Sequence, residues 1–287
     1  SKMASRLTDV DLENDLENDC PLVGINQSPA VTIDEAFNGI TNSIGLTNED
    51  ANAFLHSAKK KAKRILKKGG DHLNTDEIAA INLYTQETPL YQQLNRLLRQ
   101  RNRTSLKPFF PYLKLLLTAL HKLQPISDTV YRGVKLDLRD KYPKGEDIVW
   151  WGFSSSTATV EVLQDAQFLG NSGDRTLFSI KTSKALDVRK YSAIGAEDER
   201  LLLPGVPLVV KSRLDMGNGL HMVQLEEAAD EPSLLVGFSF SPNTASATSE
   251  DQETPRDSVA DLEDQKQTSL STPAAGLGCS QPVFATR

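Results

Sequence analysis

The spacing of apolar residues changes once along this chain, close to Asp128, and that single change limits the folds open to it. Up to about Leu123, apolar side chains recur every three or four residues, the spacing of one helix face. Beyond Asp128 they fall in short β-branched and aromatic runs separated by Gly, Pro, Asn and Asp. Helices first and strands afterwards predict an α+β domain, with a helical lobe followed by a mainly antiparallel β core.

Within the helical half, Thr47-Asn48-Glu49-Asp50 has the form of a capping box with Asp in place of the usual Glu. Phe54, Ala58, Ala62, Ile65 and Leu66 follow at helical spacing, and Gly69-Gly70 ends the run. Asn74 or Thr75 starts a second helix through Ile78, Ile81 and Leu83. Tyr91, Leu94, Leu97 and Leu98 mark a third. A fourth runs from Phe109 through Leu113, Leu116, Leu117, Leu120 and Leu123 and stops at Pro125. The dense basic run Lys59–Lys68 reads as a solvated helix face with cations near its C-terminus; a nuclear-targeting or anionic-partner role is the other reading. Strands are expected at 129–134, 147–153, 175–181, 207–214 and 220–225, with a helix-like insert at about 160–169. The polar stretch 1–30 is expected to be a mobile leader. Residues 31–227 make one domain (31–125 helical, 126–227 β), and 228–287 form a largely disordered acidic tail holding at most one further strand at Leu234–Phe240.

Charge and residue counts remove several functions. A formal charge of −6 over 287 residues argues against nucleic-acid binding by bulk electrostatics. Cys20 and Cys279 lie near opposite ends, with no partner at metal-ligand spacing, so no metal is expected. The four histidines form no nucleophile triad with their neighbours, and there is no glycine-rich phosphate loop. No apolar run is long enough to span a bilayer, so membrane association is not expected. An intracellular home is expected; because the chain starts at Ser1, a processed N-terminus leaves a secreted origin open.

Three polar features interrupt the apolar strands. Arg132, in Val130-Tyr131-Arg132-Gly133-Val134, is costly in a buried strand unless paired or turned to a cleft, and its planar fork suits a phosphate. Gly133 beside it permits close approach of a ligand to the backbone. A purely structural ion pair is the competing reading for the arginine. Ser154-Ser155-Ser156-Thr157 places four hydroxyls at the end of a strand, able to orient a carboxylate or a ribose, or to cap the insert that follows. Last, Glu197 and Glu199 stand two apart, and on an extended chain they share a side with Cα atoms about 6–7 Å apart. Their proximity sets their ionisation apart and lets them divide two roles, although such a pair also suits a solvated hairpin tip.

An arginine, a hydroxyl cluster and a Glu-x-Glu, in that order on separate strands, resemble the arginine-specific mono-ADP-ribosyltransferases, the R-S-E class of vertebrate ecto-enzymes and clostridial toxins. The likeness runs from about residue 75 to 227 and includes the helical Leu90–Arg99 segment. It implies the family's two-sheet fold with an NAD cleft between the sheets, NAD as co-substrate, no metal, and an arginine-bearing protein as acceptor. By that resemblance Arg132 grips the NAD diphosphate and the Gly133 backbone holds the nicotinamide carboxamide. Ser155, first of the triplet, hydrogen-bonds the catalytic glutamate and the nicotinamide ribose. Ser156 and Thr157 stand where the family has Thr and Ser, which touches only the role of Thr157. Glu199 binds the ribose 2′-hydroxyl and stabilises an oxocarbenium-like transition state, while Glu197 orients or deprotonates the acceptor guanidinium. Tyr191, in the acceptor loop of about residues 191–197, helps position the acceptor, and Phe168 falls where an aromatic packs on the nicotinamide side.

The chemistry agrees with that assignment. Breaking the N-glycosidic bond develops positive charge on the ribose, which a fixed carboxylate offsets. A guanidinium, with a pKa above about 12, needs a second carboxylate before it becomes a nucleophile. An NAD glycohydrolase and a catalytically silent NAD-binding module remain as alternatives on the same residues.

Overall fold

The computed structural model describes residues 22–100, 104–165, 168–194 and 198–228. Five α-helices come first: α1 (Ile33–Asn38), α2 (Asn48–Lys67), α3 (Thr75–Tyr84), α4 (Pro89–Arg99) and α5 (Phe110–His121). Each of α1 to α4 starts at a side chain that accepts a free amide of the first turn. Thr47 accepts the Asp50 amide and donates to its carboxylate at 2.7 Å, and Asn74 forms a full capping box with Glu77. The apolar stripe of α2 (Leu55, Ala58, Ala62 and Ile65) is buried, while Lys60, Lys63, Arg64 and Lys67 face water. Lys59 is anchored to Asp34 of α1 at 2.7 Å. Helix α3 is apolar nearly all round, from Ile78 to Tyr84, and is buried accordingly, with the Tyr112 hydroxyl of α5 donating to the Ala80 carbonyl.

Seven strands follow: β1 (Pro125–Val134), β2 (Asp147–Trp150), β3 (Ser154–Thr157), β4 (Arg175–Asp187), β5 (Glu199–Leu202), β6 (Val206–Asp215) and β7 (Leu220–Glu227). One hydrogen-bonded ladder runs β1-β4-β7-β6-β2, antiparallel except for the parallel pair β4–β7. Strands β3 and β5 pair with each other, and they join the ladder through β1 at Tyr131–Thr157 and through the far end of β4 at residues 186–187. The β part is therefore a continuous network in which β3 and β5 close off one end. In place of a clean break between two sheets, long β4 pairs with β1 along 176–186, and on its other edge serves β7 with 175–181 and β5 with its last two residues.

Core packing divides the same way. Tyr142, Trp150 and Phe178 make edge-to-face contacts, at ring separations of 4.8 and 5.5 Å, inside an apolar cluster built only from the β part. Phe153, Leu186, Val188, Tyr191 and Leu201 instead belong to the core of the helical lobe. Strands β3 and β5 are thus fastened to the helices, and the rest of the sheet extends away from them.

Strand β4 runs six residues past its expected end at 181, and the elements differ from expectation at four further places. Leu22 and Ile25 are buried, so the end of the stretch 1–30 expected to be a leader belongs to the core, and residues 1–21 lie outside the described residues. Pro125 opens β1, where its fixed φ and missing N–H are tolerated, and the helix before it has already stopped at His121. The run 147–153 is not one strand: β2 ends at Trp150, and the hydroxyl cluster forms its own strand, β3. Only Val160–Gln164 of the insert is helical, as a short 3-10 turn. The expected strand at Leu234–Phe240 and the tail lie outside the described residues.

Candidate active site

Glu199 opens β5 directly after Asp198, whose φ of +48° is in the left-handed region. The residue between the two glutamates is therefore not extended. Glu197 itself lies outside the described residues. The turn is held from the opposite face: Asp198 pairs with Arg189 at 2.7 Å and with Arg200 at 3.3 Å, and Arg200 also reaches Asp187. Alternation along the strand then sends Arg200 to those aspartates and Glu199 to the other side.

Glu199 is fully buried, and two hydroxyls satisfy its carboxylate from different elements. Ser155 donates to Oε1 at 2.8 Å, and Ser192 donates to Oε2 at 3.1 Å. Ser155 lies diagonally across from Glu199: the β3–β5 register pairs Ser155 with Leu201 and Thr157 with Glu199. Thr157, directly opposite, turns its hydroxyl to the Thr159 backbone, and Ser156 donates to the Arg200 carbonyl on the other face. Of the four hydroxyls in β3, Ser155 is the one that meets the carboxylate, at an ordinary hydrogen-bond length.

Arg132 lies on β1 one residue past Tyr131–Thr157, where β1 and β3 begin to diverge. Its guanidinium spans the opening by donating Nη1 to the Ser155 carbonyl at 2.5 Å. The arginine is 3 % exposed, so the cation is held inside the fold beside the hydroxyl that serves Glu199. Gly133 comes next, and a Cβ there would lie 3.0 Å from Leu169 Cδ1. The close approach that Gly133 allows is taken here by the Leu169 side chain. Phe168 is fully buried with Leu163, Leu169 and Leu177, and in this arrangement it is part of a small apolar cluster instead of an open wall. Arg175 fixes the turn that follows, donating to the carbonyls of Gly170, Gly173 and Asn218.

Tyr191, expected to help position an acceptor, is anchored through its hydroxyl. Its hydroxyl donates to Asp71, 3.3 Å from either oxygen, and Lys190 binds the same carboxylate at 2.5 Å. Burial, with the Asp71 charge beside it, pushes the Tyr191 phenol up to about 12. Burial also pushes the Asp71 carboxyl up, but Lys190, the Leu73 amide and Tyr191 together hold it below the usual carboxylate range. The backbone beyond is tied to α3: Asn82 donates to the Tyr191 carbonyl at 2.8 Å, and the Ala193 amide donates to Thr85 at 2.9 Å.

Two positioning residues were not singled out in the sequence. Ser192 is a lone serine in a loop, seven residues before its carboxylate, and only the fold brings the two together. Asn95, on α4, takes both backbone groups of Phe153, accepting its N–H at 3.0 Å and donating to its carbonyl at 3.2 Å. This double bond removes Phe153 from any strand pairing and separates β2 from β3. A polar residue on the apolar face of α4 was the available signal for it.

Comparison with known proteins gives the same picture. The chain is 28% identical over 161 residues to NAD(P)(+)–arginine ADP-ribosyltransferase 2 of Gallus gallus, covering 53% of this chain and 49% of the relative. It therefore spans about half the length of that chicken protein. The crystal structure of the eukaryotic mono-ADP-ribosyltransferase ART2.2 superposes with a TM-score of 0.53 at 20% identity, over 83% of this chain and 100% of that one. A variant of ART2.2 solved in complex with NAD gives 0.51 at 23% identity, over 67% and 81% of the two chains. At these identities the structural likeness speaks to the fold. The family model for NAD:arginine ADP-ribosyltransferase matches residues 44–233, two-thirds of the sequence, and this chain belongs to that family.

Proposed function

We propose that this chain transfers ADP-ribose from NAD to the guanidinium of an arginine side chain and releases nicotinamide. The observation that carries the reading is a buried carboxylate, Glu199, held by two hydroxyls beside a buried guanidinium, Arg132, at the point where β1 and β3 part. The donor set suits NAD: a planar cation for a diphosphate, and an acceptor-rich carboxylate for a ribose hydroxyl and the charge that grows on the sugar. Entry of the dinucleotide requires Leu169 to turn off Gly133.

In this role Arg132 holds the diphosphate and keeps Ser155 in place through the Ser155 carbonyl. Ser155 fixes the rotation of the Glu199 carboxylate. Glu199 lies against the ribose and stabilises the positive charge that appears as the C1′–nitrogen bond breaks with its electron pair leaving on neutral nicotinamide. No strong general acid is needed for such a leaving group. Glu197 takes a proton from the acceptor guanidinium, whose nitrogen then forms the new bond to C1′. The family match and an arginine ADP-ribosyltransferase among its relatives support arginine as the acceptor class.

The test is nicotinamide release from NAD with and without agmatine, a small guanidine, for the wild type and Glu197→Gln. We expect agmatine to be labelled by the wild type, and Glu197→Gln to lose labelling while retaining release to water. Binding of NAD without release in any arm would refute the catalytic reading and favour a silent binding module. Release that agmatine neither accelerates nor captures would make this a glycohydrolase.

A further inference from the structure

The main chain around Ser192 is held unusually firmly for a loop. Its amide donates to the Val188 carbonyl at 2.8 Å, and its neighbours Tyr191 and Ala193 are bound by Asn82 of α3 and by Thr85, which caps that helix. With the backbone fixed on both sides, the fully buried side chain has a defined direction, and it meets Glu199 Oε2. The same hydroxyl oxygen accepts the Ile194 amide at 3.3 Å and faces the Ile194 carbonyl at 3.4 Å. A hydroxyl has one proton, so Glu199 and the Ile194 carbonyl compete for it, and the shorter contact goes to Glu199.

We propose that Ser192 is a second positioning residue for the reaction, acting through Glu199 and linking the carboxylate to the chain on the acceptor side of the site. The role rests on the function proposed above. The terminal torsion of a glutamate is broad and soft, so a donor on one oxygen constrains the carboxylate plane less than a donor on each. Two donors from different elements, Ser155 on one oxygen and Ser192 on the other, fix its plane. A displacement of Ile194 that draws the Ser192 proton to its carbonyl removes one of those restraints. The conformation of the acceptor-side chain and the orientation of the bond-cleaving carboxylate are thereby coupled through a single hydroxyl.

The test uses the full chain carrying Ser192→Ala or Ser192→Cys, with Ser155→Ala as the comparison. Cysteine fills nearly the same space but its S–H is a weak donor, so it keeps the packing while removing the restraint. For a hydrogen bond to a charged group, we expect kcat for nicotinamide release to fall by about tenfold or more, equally with water and with agmatine, and KM for NAD to stay within about twofold. The double variant Ser155→Ala/Ser192→Ala should lose less than the product of the single losses, because both serines act on one carboxylate. A serine that only anchors the loop would instead raise KM for agmatine and leave release to water unchanged, and that result overturns the proposal. If Ser192→Ala does not fold, wild-type kcat in folded Ser192→Cys overturns it equally. Failure of the wild type to release nicotinamide would refute the proposed activity itself, whereas an active wild type with unaffected Ser192 variants refutes only the role of Ser192.

Discussion

Replacement of Glu199 by Gln separates charge from shape at the centre of the site. The two side chains are nearly isosteric, and one of Ser155 and Ser192 can still donate to the amide oxygen of glutamine. The other must turn its hydroxyl to accept from the amide nitrogen, so the folding cost should be near that of one hydrogen bond, about 1 kcal/mol. The catalytic cost is larger. A carboxylate about 4 Å from a unit positive charge, at an effective dielectric constant of about 20, stabilises it by about 4 kcal/mol. At about 1.4 kcal/mol per decade, that is a loss of roughly a thousandfold in kcat. The assay is nicotinamide release at saturating NAD, with and without agmatine, alongside a thermal melt to show that the variant is folded. Both arms should fall together, because bond cleavage precedes the choice of acceptor. A folded Glu199→Gln protein that releases nicotinamide within about tenfold of wild type would refute the electrostatic role of this residue.

Two further outcomes concern the supports of the site. Asn95→Ala leaves the N–H and C=O of Phe153 without their side-chain partner, which should cost about 3 kcal/mol and lower the melting temperature by about 10 °C, measured by calorimetry. The Asp71 carboxyl has a folded pKa below its ordinary value, so its contribution to stability is complete above about pH 5 and is lost as the pH falls through the folded value. Melting curves from about pH 5 to about pH 3 should therefore fall more steeply for the wild type than for Asp71→Asn, and parallel curves would show that the Asp71–Lys190–Tyr191 cluster contributes no pH-dependent stability.

Much of the architecture was legible because it rests on local rules. The change of period near Asp128 marks the passage from helices to strands within three residues of Pro125, where β1 begins. Thr47 and Asn74 announce their helices because a cap is a bond between residues three apart. What the sequence hides is set by contacts far apart in the chain. Nothing near Phe153 reveals that Asn95 takes its backbone, so β2 and β3 read as one strand. The left-handed turn at Asp198 is stabilised by Arg189 and Arg200, contacts that the spacing of the two glutamates does not announce. Nothing near Tyr191 reveals that Asp71, 120 residues earlier, takes its hydroxyl. Leu169 carried no signal as a neighbour of Gly133, because the contact belongs to the way the turn before β4 folds back on β1. Ser155 and Arg132 were recoverable because a cation and a row of hydroxyls inside apolar strands are expensive without a purpose, whereas Ser192, in an already polar loop, stood out from nothing.

The fastening of chain on either side of the acceptor segment has an evolutionary consequence. Before it, Tyr191 and Ala193 are tied to α3; after it, Asp198 is clamped by Arg189 and Arg200. Both flanks of that segment therefore belong to the scaffold, and Glu197 lies between them in the sequence. Drift in either flank is felt at Glu199 through the bonds that hold it, so the evolutionary constraint on such a site falls on its supports as heavily as on the proposed catalytic groups.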